Sequence, residues 1–212
     1  MRSLYVVTHT EATHHLDKVV GGWFDSALTD EGHRAARLIA QSLRDRVPVG
    51  EPVDLFSSDL RRAQQTAAPI ADLLGSEVTL LPGLRECSFG EAEGRPKAWL
   101  DERFVRPPAT GERMEHFAGV PGYETRRQFA ERIYAAVESI LERPQSNHIV
   151  VTHGGALTFI LACWIKMPID AAGYVAVSST SGSITELTED DHFRNRWVTR
   201  LNDVTHLSAA HA

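Results

Sequence analysis

Leu4-Tyr5-Val6-Val7-Thr8-His9-Thr10-Glu11 stands near the start of the chain, and His148-Ile149-Val150-Val151-Thr152-His153-Gly154-Gly155 repeats its pattern far downstream. Each is a short run rich in β-branched residues, of the kind that suits a strand buried on both faces. Each run stops at Thr-His. Ligands of open α/β sheets bind outside the carboxyl ends of parallel strands. If the two runs are parallel neighbours, His9 and His153 leave the sheet on one edge and can face each other.

The rest of the chain sets bounds on this reading. The 212 residues are 42% apolar and 24% charged, which fits one folded domain and excludes a disordered chain. A net charge of −6 argues against nucleic acid as a partner. Cys87 and Cys163 have no metal-type spacing. Met1-Arg2-Ser3 runs straight into the first strand without the apolar core of a signal peptide. No run reaches the roughly 18 apolar residues that span a membrane. The expectation is a cytoplasmic protein with no membrane partner.

Taken in order, strands are expected at Leu4–Val7, Val53–Phe56, Val78–Leu81 and Ile149–Thr152, with helices between them. Thr8 to Asp25 reads as a long loop. Thr29 reads as the N-cap of a helix that ends before Pro48. Ser57-Ser58-Asp59 reads as the cap of a second helix, stopped by Gly75. Glu124 to Leu141 and Ala156 to Met167 read as two more helices, the second buried. Arg95 to Tyr123 has no clean period and reads as a lid, with its boundary near 95–123. Ser183–Leu187 and Trp197–Leu201 alternate like an antiparallel edge pair, and the tail from Ser208 reads as loose. Strands alternating with helices give a three-layer α/β fold, its sheet mostly parallel with helices on both faces.

Sheet-edge loops deliver His9, Arg61 with Arg62, Glu86 and His153. A neutral imidazole is a nucleophile that needs no base. Arginine in the first turn of a helix opposes the helix dipole, which points to an anion held there. A carboxyl group can protonate a leaving alkoxide and then activate water. Together these make a cofactor-free phosphoryl-transfer site.

The residues also carry a resemblance. Thr8-His9-Thr10-Glu11 stands where the histidine phosphatase superfamily, the phosphoglycerate mutase-like proteins, has Arg-His-Gly-Glu. Gly22-Trp23-Phe24-Asp25-Ser26-Ala27-Leu28-Thr29-Asp30-Glu31-Gly32 is similar to its G-x-x-D-x-P-L-T-x-x-G segment. Ser57-Ser58-Asp59-Leu60-Arg61-Arg62-Ala63-Gln64-Gln65-Thr66-Ala67 resembles its second motif, and Leu84-Arg85-Glu86-Cys87-Ser88-Phe89-Gly90-Glu91-Ala92-Glu93-Gly94 its third. Pro121-Gly122-Tyr123-Glu124-Thr125 and Val150-Val151-Thr152-His153-Gly154-Gly155 follow in order. Leu201-Asn202-Asp203-Val204-Thr205-His206-Leu207 resembles the ending of its broad-specificity phosphatases.

The resemblance implies a phosphoglycerate mutase-like fold and a phosphatase acting on phosphate monoesters. His9 would become phosphohistidine, Arg62 would clamp the phosphoryl group, Glu86 would donate a proton and then serve as base, and His153 would stabilise the transferring group. Thr8, Thr10, His15, Lys18 and Gly154 fall at substrate-binding positions. No metal and no organic cofactor is implied. The partner expected is a small phosphorylated substrate, with a homodimer left open.

Thr8 and Thr10 depart from the motif. Losing one preorganised donor typically costs about 10²–10³ in rate. One of His14, His15 or Lys18 is therefore expected to restore part of the positive charge. Two rivals are a weak or inactive phosphoanion-binding protein on the same fold and a mutase-type phosphotransferase. The short 95–120 segment favours phosphatase over mutase. A third is a metal site at His9, His14 and His15, against which the His14-His15 pair reads more simply as a surface pair whose side chains point apart. Arg61 reads as solvated.

Overall fold

The computed structural model describes residues 1–48 and 50–208. Its strands are β1 (Arg2–Thr8), β2 (Val53–Ser57), β3 (Val78–Leu80), β4 (Asn147–Thr152), β5 (Ile184–Glu189) and β6 (Arg196–Asp203). Its helices are α1 (Thr13–Leu16), α2 (Asp30–Arg46), α3 (Arg61–Leu74), α4 (Lys97–Asp101), α5 (Arg126–Leu141), α6 (Gly154–Trp164) and α7 (Thr205–Ser208). The strands form one mixed sheet in the order β3-β2-β4-β1-β5-β6. β1 to β4 pair in parallel, and β5 and β6 complete the sheet antiparallel, as the alternation of the two late strands predicts.

The doubled Thr-His signature lies in register. Thr8 stands opposite Thr152 across the β1–β4 ladder, and His9 N donates to Thr152 O at 2.8 Å. The period-2 side-chain alternation explains why both runs are apolar throughout. Leu4, Val6 and Val150 join the core under α5 and α6. Tyr5, Val7, Ile149 and Val151 join the core under α2 and α3. The sheet is thus covered on both faces, which gives the expected three layers.

Two local expectations change. The 8–25 segment contains the helical turn α1, which places His14 and His15 on a turn rather than in extended chain. The N-cap of α3 is Leu60, with no side-chain cap. Its first amide is met instead from a distant loop, Arg61 N donating to Asp25 Oδ1 at 2.7 Å, while Asp59 pairs with Arg85. Thr29 caps α2 as expected, accepting from Gly32 N at 3.0 Å. Its hydroxyl also donates to Glu11 Oε1 at 2.7 Å, so Glu11 anchors the loop after β1. The loose-tail expectation falls on residues 209–212, outside the described residues; Ser208 itself ends α7. No helix among the described residues is long and apolar enough to cross a membrane.

Candidate active site

A cavity of about 300 Å³ opens at the carboxyl edge of β1 and β4. His9, Arg62, Glu86 and Gly154 line it. His153 lies behind His9, fully buried, with the two rings 5.1 Å apart in an edge-on arrangement. The four expected catalytic side chains, brought from β1, α3, the 85–93 loop and the turn after β4, therefore meet at one place.

His9 is 8% exposed. Its Nδ1 lies 2.8 Å from Thr10 O, so Nδ1 carries the proton and Nε2 keeps its lone pair. Burial, and next the Arg62 charge, hold its pKa well below the ordinary histidine value. Arg62 is 1% exposed. Its Nε donates to His9 Nε2 at 3.2 Å, Nη1 to Phe24 O at 2.8 Å and Nη2 to Gly22 O at 2.6 Å. Three of the five N–H donors of a guanidinium are thus engaged, and two remain for a ligand. Burial pulls the Arg62 pKa down to about 10, which leaves it a cation at neutral pH.

Glu86 makes no ion pair among the described residues. Its Oε1 accepts from Cys87 N and its Oε2 from Gly155 N in the first turn of α6, both at 2.8 Å. Burial raises its pKa and outweighs these amides and the charges of Arg62 and Arg132. A carboxyl group so placed is suited to proton donation. The absence of a side chain at Gly155 makes room for this carboxyl group, because a Cβ there would lie 2.3 Å from Glu86 Oε1. His153 Nε2 pairs with Ser58 Oγ at 2.9 Å, while its buried Nδ1 has no hydrogen-bond partner.

The motif departures take definite places. Thr8 Oγ1 donates to Thr180 O at 2.7 Å and accepts from Ser183 N at 3.1 Å, so its hydroxyl serves a loop rather than a ligand. Thr10 is 1% exposed and lies outside the cavity lining. Its hydroxyl donates to Gly32 O, and its own carbonyl holds His9. Lys18 is exposed and also outside the lining. Its carbonyl accepts from Lys97 N at 3.0 Å, and Lys97 lines the cavity in its stead.

The surface-pair reading of His14 and His15 is corrected. Both line the cavity, with ring centres 4.0 Å apart, and His15 stacks on His9 at 5.7 Å. His14 is buried, bonded to Ser26 Oγ, and its pKa is lowered to about 3, chiefly by burial. Burial and Lys97 lower that of His15. Neither restores a standing positive charge. His15 Nδ1 accepts from Ala12 N at 3.2 Å, so the proton sits on Nε2 and the ring is a neutral donor. Among the described residues no group of three or more His, Cys, Asp or Glu is placed to hold a metal ion. Arg61 is exposed, as read.

Arg132 completes the site unannounced by any local pattern. It donates to the carbonyls of Gly83, Arg85 and Glu86 and pairs with Glu124, fixing the backbone that presents Glu86. Trp23 Nε1 donates to Glu86 O at 2.7 Å. The signal for Arg132 was only its place on a helix following Pro121-Gly122-Tyr123-Glu124.

The comparisons agree with this geometry. The sequence profile of the histidine phosphatase superfamily (branch 1) matches residues 4–201. The protein named probable phosphoglycerate mutase GpmB of Yersinia pestis is 32% identical over 212 residues, spanning 98% of this chain and 95% of that one. YhfR of Bacillus stearothermophilus superposes with a TM-score of 0.76 at 23% identity, covering 97% of this chain and 98% of that one. A mycobacterial glucosyl-3-phosphoglycerate phosphatase superposes with a TM-score of 0.74 at 24% identity, covering 95% and 98%. These two likenesses concern the fold, and the profile and the GpmB likeness carry the family. The chain belongs to the histidine phosphatase superfamily.

Proposed function

We propose that this protein is a metal-independent phosphomonoesterase working through a phosphohistidine at His9, in the cytoplasm, on a small phosphorylated substrate. The observation that carries the reading is the fixed tautomer of His9: Nδ1 is held by Thr10 O, and the lone pair of Nε2 stands beside the Arg62 guanidinium. Nε2 attacks phosphorus, forming an N–P bond as the bond to the ester oxygen breaks. Protonated Glu86 gives its proton to the leaving oxygen. The resulting carboxylate then takes a proton from water, which attacks phosphorus and releases His9 and inorganic phosphate. Arg62, His153 and the Nε2–H of His15 are the donors for the phosphoryl oxygens. Arg62 turns from His9 to the phosphoryl group as the lone pair is used. The segment near 95–123 acts as the lid, with Lys97 as its contribution to the cavity.

The likeness to GpmB supports a second reading, transfer of the phosphoryl group to a second alcohol in place of water. Turnover of a generic aryl phosphate in the presence of chelator, with His9→Ala as control, tests the proposal. Release of phosphate that the substitution abolishes supports the phosphatase. Cleavage of the aryl ester without release of phosphate, dependent on an added phosphorylated alcohol, supports the transferase, and no turnover in either protein contradicts both.

A further inference from the structure

The 179–183 loop joins no expected motif, yet it forms one wall of the cavity. Ser181 Oγ donates to His9 O at 3.0 Å, and Gly182 N donates to the same carbonyl at 3.2 Å. Thr8 Oγ1 binds the loop at Thr180 O and Ser183 N. The residue at the arginine position of the family motif is thus spent on holding this loop. The loop is gripped from behind by the C-terminal segment. Asn202 Oδ1 accepts from Thr180 N at 2.6 Å, its Nδ2 donates to Thr180 Oγ1 at 3.1 Å, and His206 Nε2 lies 3.0 Å from Gly182 O.

This grip brings Ser179 and Ser181 into the cavity lining. Their hydroxyls differ in what remains to them. That of Ser181 already donates to His9 O. The Ser179 hydroxyl has no hydrogen bond to any described residue, although Ser179 is half-buried. Its position is tight: a Cβ on Gly154, the first residue of α6, would stand 2.5 Å from Ser179 Oγ. Ser179 Oγ therefore shares the amino end of an 11-residue helix with the Glu86 carboxylate, next to the nucleophile. A hydroxyl without a partner, at a positive helix end and in a cavity with an arginine, is matched to an anionic oxygen.

We propose that Ser179 binds the phosphoryl group, its hydroxyl donating to a phosphoryl oxygen in place of the arginine that Thr8 replaces, with Asn202 and His206 as the residues that position it. This rests on the phosphoryl-transfer reading of the same site. It also gives the Asn202–His206 ending a task, which is to hold the wall that carries the donor.

The test compares wild type, Ser179→Ala and Ser179→Thr in aryl phosphate turnover, inhibition by inorganic phosphate and thermal midpoint. Ser179→Ala is expected to lower kcat/KM about ten- to hundred-fold, at or below the loss for one oxyanion-type donor. It should weaken phosphate inhibition and leave the thermal midpoint unchanged, while Ser179→Thr restores most of the activity. A Ser179→Ala protein within twofold of wild type, in a system where His9→Ala is dead, overturns the role of Ser179 and leaves the phosphatase reading intact. If the wild type does not turn over the aryl ester, direct titration with inorganic phosphate decides. Weaker binding by Ser179→Ala supports the assignment, and equal binding overturns it.

Discussion

Arg62 Nε donates to His9 Nε2 across 3.2 Å, so a buried guanidinium rests on the lone pair of a neutral imidazole. Burial, and next the Arg62 charge, hold the pKa of His9 well below the ordinary histidine value, so in the proposed mechanism the nucleophile stays unprotonated until a phosphoryl group draws the guanidinium away. Arg62→Lys keeps a positive charge but cannot reach His9, Phe24 O and Gly22 O together. It is expected to lower kcat/KM by at least about 10², the effect of losing a preorganised donor. It should also lower stability by about 1–3 kcal/mol, from buried carbonyls left without donors. Steady-state kinetics and urea unfolding check the two effects separately.

Gly155→Ala acts on Glu86 without touching its charge, since the added Cβ would stand 2.3 Å from Oε1. The carboxyl group must move off the amino end of α6. Proton donation matters most for a poor leaving group, so turnover of an alkyl phosphate is expected to fall by about 10²–10⁴, the range of general acid catalysis. Turnover of an aryl phosphate with an acidic phenol should fall much less. Equal losses on both esters would show that Glu86 is not the proton donor.

Activity on alkyl phosphates should fall at alkaline pH. His9 must be neutral, and its pKa lies well below 6.5, so its acid limb is displaced downward. Glu86 must be protonated, and its pKa is raised above 4.5, so the alkaline limb begins above the ordinary glutamate range. A kcat/KM profile that rises steadily from pH 5 to pH 9 is the contrary result.

Stability should move in the opposite direction. His9, His153 and His148 are buried with pKa values lowered from 6.5, chiefly by burial. The unfolded chain then binds more protons than the folded one below that value. Their contribution is whole above pH 6.5 and is lost as pH falls from 6.5 toward the folded values. Each such group adds a slope of up to about 1.4 kcal/mol per pH unit. His148→Gln is expected to flatten the slope in denaturant unfolding between pH 6.5 and 5, whereas an unchanged slope would mean that His148 is protonated in the fold.

His15 separates a neutral donor from a charged one. His15→Asn keeps an N–H group and is expected to stay within about threefold of wild type, while His15→Phe should lose about tenfold, the worth of one ordinary hydrogen bond. If His15→Lys outperforms the wild type and His15→Asn does not, the site lacks charge rather than a donor.

Much of this was legible in the chain, and the reason differs by element. The Leu4–Thr8 and Ile149–Thr152 runs are apolar on both faces because both faces are covered, so burial itself wrote the strand and its end. His9, Arg62, Glu86 and His153 sit at element ends, where sheet topology alone brings them together. His14 and His15 were misread because adjacent residues diverge in extended chain, whereas one turn of helix and the loop through Gly21 fold both rings inward. Lys18 was expected where Lys97 arrives, since only the pairing of the two backbones decides which residue lines the cavity. The Asp25 cap of α3, the Arg132 brace under Glu86 and the 179–183 wall join residues far apart in sequence. They leave no periodic or local trace to read.

The central claim is that His9 carries the phosphoryl group, and a rapid-quench experiment with ³²P-labelled aryl phosphate and chelator tests it most directly. The expected result is a phosphoenzyme stable to alkali and labile to acid, formed and consumed at rates compatible with turnover, mapped to His9 and absent in His9→Ala. Turnover that persists in His9→Ala, or that proceeds in the wild type with no labelled protein at any time although hydrolysis of the label is not faster than its formation, would contradict it.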